Sequence, residues 1–417
     1  MIGEKVREIA VKARMASAVV AGASTEKKNN ALNAIAEALE KNVEKILAAN
    51  EKDVIAARKK GLSDALADRL LLNEKRIKAM AEETRKVASL KDPVGEAIVE
   101  WTLENGLRIK KVRVPLGVIA LIYESRPNVT VDASVLCLKA GNAVVLKGGS
   151  DAINSNKAIV EVISGAIEKA GLPKEAISFI PFIERESVNA LLKLHGVVDL
   201  IIPRGSGSLI KMVVENSSVP VIETGEGNCH VFVDESADLE KAKKIVVNAK
   251  VQRPGVCNAV EKLLVHERIA EKFLPSMVAE LRKHGVEVRG DEMAVKIVRG
   301  IVPATDADWP KEYLDLVIAI KVVGSVDEAI AHINKFNTKH SDAIVSGGRE
   351  NISRFLNEVD AACVYANAST RFTDGAQFGF GSEIGVSTQK MHARGPMGLR
   401  ELTSYKYVVE GSGQIRE

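Results

Sequence analysis

Val118-Ile-Ala-Leu-Ile-Tyr123, directly after Gly117, is the first of several short apolar segments in this chain. Segments of this length without polar alternation are typical of parallel strands that are buried on both faces of a sheet. Others lie at residues 143–147, 177–180, 198–202 and 219–222. Helical patterns fill the intervals, at residues 132–139, 153–170, 184–194 and 206–215. The alternation predicts a doubly wound parallel sheet that binds a nucleotide beyond the carboxyl ends of its strands.

Helices are predicted before this sheet. Leu32, Ile35 and Leu39 recur at helical spacing, with Lys and Glu between them. Residues 61–63 interrupt the pattern, and Ser63 is predicted to cap the next helix.

A hairpin is predicted between the helices and the sheet. Asn105-Gly106 separates two segments of period two, residues 97–103 and 107–114, which is the strongest short hairpin signal. An isolated hairpin is marginal in water, so another part of the fold or a second subunit is expected to support it.

A second α/β stretch is predicted over residues 235–365. Its strands are expected at residues 259–265 and 316–323, and its helices at residues 238–251, 267–285 and 325–336. The tail from residue 366 is rich in Gly, Ser and Thr and ends in a predicted strand at residues 404–410.

Composition places the chain among soluble globular proteins of about three domains. Its 417 residues carry a net charge of +3 with acids and bases interspersed, which argues against a nucleic-acid-binding surface. No apolar run approaches the roughly 18 residues of a membrane span, and the N-terminus turns polar too soon for a signal peptide. The four cysteines form no Cys-x-x-Cys pair, so neither a zinc site nor a disulfide framework is predicted. We expect a cytoplasmic protein with no nucleic-acid partner, no membrane partner and no bound metal.

Cys257 ends the turn-rich segment Gln252-Arg-Pro-Gly-Val-Cys257, between a predicted helix and a predicted strand. The thiol is therefore expected on a loop, with the fixed positive charge of Arg253 nearby in the sequence. Such a charge stabilises thiolate over thiol, and the thiolate is the nucleophile. The alternative is a buried and inert cysteine, as most free cysteines are. The segment by itself leaves both interpretations open.

Glycine and serine follow the ends of two predicted strands. One such segment is Lys147-Gly-Gly-Ser150. Its glycines would let a ligand approach the backbone beside the positive charge of Lys147. The alternative is that Lys147 is a surface lysine that extends into solvent. Arg204-Gly-Ser-Gly-Ser208 opens a helix, where free N–H groups attract phosphate or where a serine is only a cap. The G-x-G-x-x-G fingerprint is absent after the first strand.

Together these segments resemble the aldehyde dehydrogenase superfamily. The matching motifs are Lys147-Gly-Gly-Ser150, Arg204-Gly-Ser-Gly207, Glu223-Thr-Gly-Glu-Gly227 and Gly255-Val-Cys257. Within the superfamily, three segments resemble the γ-glutamyl phosphate reductase family, namely Tyr123-Glu-Ser-Arg-Pro-Asn-Val-Thr130, Gln252-Arg-Pro-Gly-Val-Cys257 and Met391-His-Ala-Arg-Gly-Pro-Met-Gly398. The resemblance covers essentially the whole chain.

The resemblance implies three parts. These are N-terminal helices with an NADP-binding α/β domain over residues 1–234, a catalytic domain with Cys257 over residues 235–365, and a C-terminal return segment over residues 366–417. The hairpin at residues 97–114 would pair with the strand at residues 404–410 in a small oligomerisation element. A homo-oligomer is therefore expected.

The resemblance also implies the reaction, which is NADPH-dependent reduction of L-glutamyl 5-phosphate to L-glutamate 5-semialdehyde in proline biosynthesis. The Cys257 thiolate would form a thioester and release phosphate, and hydride transfer would then release the aldehyde. The tetrahedral intermediates need oxyanion donors. The implied donors are the N–H of Cys257 and the side-chain amide of Asn128, although an ungapped alignment places Arg126 opposite the usual asparagine. A functional contact with glutamate 5-kinase is also expected.

Binding residues are likewise implied by the resemblance. Those for the cofactor are Lys147, Ser150, Gly205, Ser206 and Glu312. Glu312 would hold the nicotinamide ribose, or else it is a solvated loop acid. NAD-preferring relatives often carry a glutamate at the position of Ser150, so the serine favours NADP(H). Arg126, Arg253 and Arg394 are expected to bind the substrate, because arginine suits carboxylate and phosphate.

Three rival functions remain open at this point. An NAD(P)-dependent hydrolytic aldehyde dehydrogenase would use Glu223, which stands where hydrolytic relatives carry their water-activating glutamate. A cysteine acyltransferase or hydrolase would pair Cys257 with a distant histidine such as His266 and would need no nucleotide. A catalytically silent nucleotide-binding protein would need no reactive thiol.

Overall fold

The chain folds into two compact units in the computed structural model, which describes residues 1–61 and 64–416. The first unit comprises Met1–Glu223, Gly379–Gly385 and Met397–Glu417. The second unit comprises Thr224–Phe378 and Val386–Pro396. The cofactor-binding, catalytic and oligomerisation roles predicted for residues 1–234, 235–365 and 366–417 stay predictions. The predicted cap Ser63 lies outside the described residues.

The first unit begins with helices, as predicted. They are α1 (Ile2–Ala21), α2 (Thr25–Lys41), α3 (Val43–Lys59), α4 (Asp64–Leu70) and α5 (Glu74–Ser89). The stripe of Leu32, Ile35 and Leu39 is fully buried, and α2 packs against α5. The apolar spacing read from the sequence is therefore the packing face of α2.

A three-stranded antiparallel sheet of order β1-β2-β16 follows in this unit. Its strands are β1 (Ala97–Thr102), β2 (Arg108–Pro115) and β16 (Thr403–Glu410). Gly106 takes a φ of 85° in the predicted turn, and the predicted pairing of the hairpin with the strand near residue 410 is confirmed. The register places Val99, Trp101, Tyr405, Tyr407 and Val409 on one face. These residues are between 38% and 55% exposed, which leaves the face open, and Lys111 of β2 lies among them with its Nζ 3.6 Å from the centroid of the Tyr405 ring.

The predicted parallel sheet is the core of the first unit and has the order β5-β4-β3-β6. Its strands are β3 (Val118–Tyr123), β4 (Ala143–Gly148), β5 (Ile177–Phe179) and β6 (Leu200–Arg204). The helices between and after them are α6 (Pro127–Lys139), α7 (Ile153–Lys169), α8 (Arg185–Leu192) and α9 (Gly207–Asn216). Every residue of β3 and β4 is buried, which explains their continuous apolar sequence.

One strand prediction in this unit was wrong. Residues 219–222 form only an isolated bridge between Val221 and Ile201. Pro220 lacks an N–H and cannot donate to a ladder, so the apolar run does not extend into a strand.

The second unit is built on a parallel sheet of order β10-β9-β11-β8-β7-β12-β13. Its strands are β7 (Cys229–Val233), β8 (Val260–His266), β9 (Glu287–Gly290), β10 (Val302–Pro303), β11 (Val317–Val323), β12 (Ser341–Val345) and β13 (Cys363–Ala366). Its helices are α10 (Leu239–Val251), α11 (Glu267–Lys283), α12 (Glu292–Ile297), α13 (Val326–Phe336) and α14 (Arg349–Glu358). A short pair, β14 (Val386–Ser387) and β15 (Gly395–Pro396), completes the unit.

Parallel pairing brings the segments before β7, β8, β11 and β12 to the same edge of this sheet. Those segments carry Gly227, Cys257, Glu312 and His340. The residues of chemical interest in the second unit therefore gather at the amino-terminal edge of its sheet. In the described part of the chain, no helix has both the length and the apolar character needed to cross a membrane.

Candidate active site

Cys257 lies on the loop between α10 and β8, as predicted, and its side chain is partly exposed. The other cysteines, Cys137, Cys229 and Cys363, are buried. Burial raises the pKa of the Cys137 and Cys229 thiols, which keeps them protonated. Of the four thiols, the Cys257 thiol is the one that is not buried.

Gly227 links Cys257 to Glu312. A Cβ atom on Gly227 would lie 1.4 Å from the carbonyl oxygen of Cys257 and 2.8 Å from its Cα, so the two backbones are in direct contact. The N–H of Gly227 donates to Glu312 Oε1 at 2.6 Å. One glycine therefore separates the thiol-bearing residue from the carboxylate that the family resemblance assigns to the nicotinamide ribose.

Glu312 is half-buried and not a solvated loop acid. Burial raises the pKa of its carboxyl group to about 6, although the N–H of Gly227 opposes this shift by binding the ionised form. The negative charges of Glu226 and Glu261 raise the pKa further. Above pH 6 the group is mainly ionised and can accept hydrogen bonds from hydroxyl groups.

Buried charges support the backbone that follows Glu312. Glu261 on β8 accepts hydrogen bonds from the N–H groups of Tyr313 at 3.2 Å and Leu314 at 3.4 Å. Lys250 Nζ lies 3.3 Å from Glu261 Oε2, and both side chains are fully buried. Burial lowers the pKa of Lys250 and raises that of Glu261, while the opposite charge of each partner acts against the shift. Lys262, also fully buried, acts on Glu261 as well, and loss of Glu261 would leave Lys250 without its carboxylate partner.

Arg371 holds the Cys257 loop at two points. Its Nε donates to Gln252 Oε1 at 2.7 Å, and its Nη1 donates to Asn258 Oδ1. Burial, and after it the positive charge of Arg253, lower the pKa of Arg371, whereas the negative thiolate form of Cys257 acts to raise it. The guanidinium of Arg371 therefore lies within electrostatic reach of the thiol and favours the thiolate.

A buried thiol fixes the carbonyl group of Cys257. Cys229 Sγ donates to the Cys257 carbonyl oxygen at 3.1 Å and lies 4.0 Å from His340 Nδ1. Because burial raises its pKa, Cys229 stays a neutral donor.

His266 is far from Cys257. The suggestion that His266 could act as the partner of the Cys257 thiol was therefore wrong. His266 ends β8, whereas Cys257 precedes that strand, and strands rise about 3.3 Å per residue, so roughly 20 Å of β8 separate them. His266 Nδ1 accepts the N–H of Arg268 at 3.2 Å and caps α11.

The three arginines predicted to bind substrate have different surroundings. Arg253 is exposed on the Cys257 loop. Arg394 donates from Nη2 to Asp360 Oδ1 at 2.6 Å, and Lys390 lies 3.0 Å from the same carboxylate. Arg126 is exposed and precedes the first turn of α6 in the first unit. Their contacts with substrate stay predictions.

Asn128, the predicted oxyanion donor, lies on α6 and donates from Nδ2 to Asp132 Oδ2 at 2.9 Å. A side-chain amide has two N–H donors, so this bond leaves one for a ligand. Burial raises the pKa of Asp132 to about 6, and the hydrogen bond from Asn128 acts in the opposite direction. The role of Asn128 as oxyanion donor stays a prediction.

Lys147 is buried at the end of β4, with 5% of its surface exposed, so it is not a surface lysine. Its Nζ donates to the Gly148 carbonyl oxygen at 2.9 Å, and burial lowers its pKa. Ser150 begins a short 3₁₀ turn, Ser150–Ala152, and is exposed.

A carboxylate stands at the start of α9. Glu124 Oε2 accepts the N–H of Ser206 at 2.8 Å, and Glu124 Oε1 accepts its hydroxyl at 3.2 Å. A Cβ on Gly205 would lie 2.5 Å from Glu124 Oε2, so only glycine fits there without displacing the carboxylate. Ser206 occupies the N-cap position, but its side chain does not cap the helix. The groups predicted to bind phosphate are thus already arranged around an anion.

Comparison with known proteins shows the family. The model of the aldehyde dehydrogenase family matches residues 3–298. The chain belongs to the aldehyde dehydrogenase family. A nicotinamide cofactor and a small-molecule substrate follow from this membership.

Close relatives share a narrower name. The chain is 63% identical to the γ-glutamyl phosphate reductase of Caldanaerobacter subterraneus subsp. tengcongensis, over 98% of this chain and 99% of that protein. It is similar to the crystal structure of γ-glutamyl phosphate reductase from Thermotoga maritima, with a TM-score of 0.98 and 56% identity over 99% of this chain and 100% of that one. An acetylating aldehyde dehydrogenase from Geobacillus thermoglucosidasius, at 19% identity and a TM-score of 0.70 over 100% of this chain and 98% of that one, shares the fold. The predicted fold and family resemblance are confirmed.

Sequence reasoning missed several residues that shape the site. Arg371 is separated by 119 residues from Gln252 and by 113 from Asn258, so its contacts with the Cys257 loop leave no local pattern in the sequence. Lys250 resembles the other lysines of an amphipathic helix. Gly227 stood in a quoted motif, where the density of glycine was the available signal of a close backbone approach.

Proposed function

We propose that this chain reduces L-glutamyl 5-phosphate to L-glutamate 5-semialdehyde and phosphate with NADPH, through a thioester on Cys257, as a step of proline biosynthesis. One observation carries the proposal. Gly227 contacts the Cys257 carbonyl group and donates its N–H to Glu312 at 2.6 Å, so the nucleophile lies one residue from a half-buried carboxylate suited to ribose hydroxyls. The name shared by the close relatives supplies the substrate.

Cys257 is the proposed nucleophile. The positive charges of Arg253 and Arg371 favour its thiolate, which forms a C–S bond with the γ-carbonyl carbon while the bond to phosphate breaks and phosphate leaves with the electron pair. NADPH, when bound, supplies the hydride that brings the thioester to the aldehyde level. Cys257 then departs as the thiolate and the aldehyde is released.

Oxyanion stabilisation is assigned to two donors of this chain. The N–H of Cys257 and the remaining amide N–H of Asn128 are the proposed partners of the charged oxygen, and donors of this kind contribute about 2.7–4 kcal/mol each. At least one of Arg126, Arg253 and Arg394 is also proposed to bind a substrate anion.

Buried and anion-binding groups of the first unit fit a dinucleotide. Lys147 holds its ammonium group at a strand end, where it donates to the Gly148 carbonyl oxygen, and the N–H and hydroxyl groups of Ser206 at the start of α9 donate to the carboxylate of Glu124. Ser150 presents a hydroxyl group without negative charge, which tolerates a 2′-phosphate. The serine supports NADP(H) over NAD(H), whereas the other groups would serve either dinucleotide.

A second copy of this chain is the proposed occupant of the open face of the β1-β2-β16 sheet. The face carries exposed Trp101 and Tyr407, whose rings meet edge to face at 6.2 Å between centroids. Trp101→Glu should therefore reduce the assembly size measured by light scattering, and an unchanged mass would contradict the proposal.

We further propose that the protein works in the cytoplasm, where thiols are kept reduced, and contacts glutamate 5-kinase, which produces its substrate.

The test of the reaction is a steady-state assay of glutamate 5-semialdehyde, phosphate and NADP. Wild type should form NADPH only when phosphate is present, and Cys257→Ala should abolish turnover while it still binds NADPH. Turnover without phosphate would instead indicate hydrolysis with Glu223 as base. Acyl transfer by a preparation that does not bind NADPH would indicate a nucleotide-independent cysteine enzyme.

A further inference from the structure

A polar pocket of about 230 Å³ opens beside the Cys257 loop within the second unit. It is lined by Asn248, Gln252, Arg371, Phe372, Asp374 and Gln377. The mechanism described above uses only Arg371 of this set, as a charge near the thiol. The predicted substrate-binding arginines are not among the lining residues.

The pocket and the nucleophile share one piece of structure. Gln252 begins the turn that ends at Cys257, and Arg371 binds both Gln252 and Asn258, the residue after the cysteine. A ligand that contacts Arg371 is therefore fixed relative to the thiol, because the same guanidinium holds both ends of the loop.

The pocket offers both signs of charge. Arg371 supplies a cation, on which the positive charge of Arg253 and the negative charge of Asp374 both act. Asp374 supplies the anion, and its Oδ1 is held by the N–H groups of Ala376 at 2.9 Å and Gln377 at 3.3 Å. A carboxylate held in this way can direct its remaining lone pairs towards a cationic ligand group.

We propose that this pocket binds the α-amino-acid end of the substrate, with Arg371 on the α-carboxylate, Asp374 on the α-ammonium, and the amide side chains of Gln252 and Gln377 completing the hydrogen bonds. The proposal rests on the proposed function and adds its specificity element. A zwitterion presents one cation and one anion on neighbouring atoms, which matches an arginine and an aspartate in one small pocket. Arg371 thereby selects the amino acid and orients the γ-carbonyl carbon towards Cys257.

The experiment combines variants with truncated substrates. Oxidation is measured with NADP and phosphate on glutamate 5-semialdehyde, on 5-oxopentanoate, which lacks the α-amino group, and on 4-aminobutanal, which lacks the α-carboxylate. Each variant is compared with wild type on the same substrate, so the open-chain fraction of each aldehyde cancels. Asp327→Asn, which alters an exposed ion pair with Arg354, is the matched control.

Asp374→Asn should lower kcat/KM for glutamate 5-semialdehyde by about 100-fold and leave kcat/KM for 5-oxopentanoate nearly unchanged, because that analogue has no ammonium group to lose. Arg371→Lys should lose most of its discrimination against 4-aminobutanal, since lysine lacks the bidentate fork. Equal losses on all three substrates in both variants would show a merely structural role and overturn the subsite. Absence of turnover by wild type would refute the proposed function and the subsite together, whereas turnover with unchanged selectivity in Asp374→Asn would refute the subsite alone.

Discussion

Gly227→Ala should inactivate the enzyme without unfolding it. The added Cβ would lie 1.4 Å from the Cys257 carbonyl oxygen, and real Cβ atoms stay at least 3.0 Å from such atoms, so the two backbones must separate by the missing 1.6 Å. The contact is with backbone, so rotation of a side chain cannot relieve it. Overpacking of this kind costs about 1–3 kcal/mol of stability, whereas a misplacement of about 1 Å near the chemistry can cost roughly 100-fold in rate.

The assay is NADP reduction by glutamate 5-semialdehyde and phosphate, with thermal unfolding measured in parallel. Gly227→Ala should reduce kcat at least about 100-fold while a cooperative unfolding transition remains. Gly324→Ala is the control, because a Cβ there meets its nearest atom, on the Glu328 side chain, at an ordinary 3.7 Å. A Gly227→Ala enzyme with nearly wild-type kcat would refute the contact between these two backbones.

Three further predictions follow from the same region and from the cofactor residues. Because burial raises the pKa of Glu312 to about 6, NADPH affinity should fall as the pH is lowered through 6 and the carboxylate is protonated, and Glu312→Gln should remove this step in a fluorescence titration. Glu261→Gln should lose about 3–5 kcal/mol in the free energy of unfolding by urea, because it leaves buried Lys250 unpaired. Ser150→Glu should shift the ratio of kcat/KM values from NADPH towards NADH by at least about 10-fold, because a carboxylate repels the 2′-phosphate.

Each of these has its own contrary outcome. If the affinity of the wild-type protein for NADPH does not change with pH, the proposal that Glu312 binds the nicotinamide ribose is wrong. A loss in Glu261→Gln no larger than that in Glu271→Gln, at an exposed position on α11, would remove the buried pair. An unchanged cofactor preference in Ser150→Glu would place the 2′-phosphate away from this turn.

Local pattern was enough for much of the fold. The apolar runs of β3 and β4 are buried on both faces and carry no competing signal, so their strands were predicted. Asp238 precedes α10 and accepts the N–H groups of Glu240 and Lys241, a capping arrangement that marks the helix start in the sequence. The prediction of a strand at residues 219–222 was wrong because it used only the apolar character of the segment and ignored that Pro220 has no N–H group to donate.

The sequence predicted the residues of the candidate site only where they lie in a recognisable local motif. Cys257 follows Pro and Gly, which force a turn, and Glu312 was found through the family resemblance. The partner of Cys257 at Gly227 and the clamp at Arg371 depend on which strands lie side by side in the second sheet, and neither strand order nor register is written in local periodicity.

The pairing of β2 with β16 has a consequence for how the protein is made. Residue 403, which pairs with residue 115, leaves the ribosome long after it, and at about 5–20 residues per second that interval lasts roughly 15–60 s. Throughout that time the nascent hairpin presents an open hydrogen-bonding edge, which is a site for misassociation between neighbouring chains on one messenger. The first unit can therefore be completed only after nearly all of the chain has been translated. The yield of folded protein in the cell should then depend on the speed of elongation and on chaperones that shield the unpaired edge.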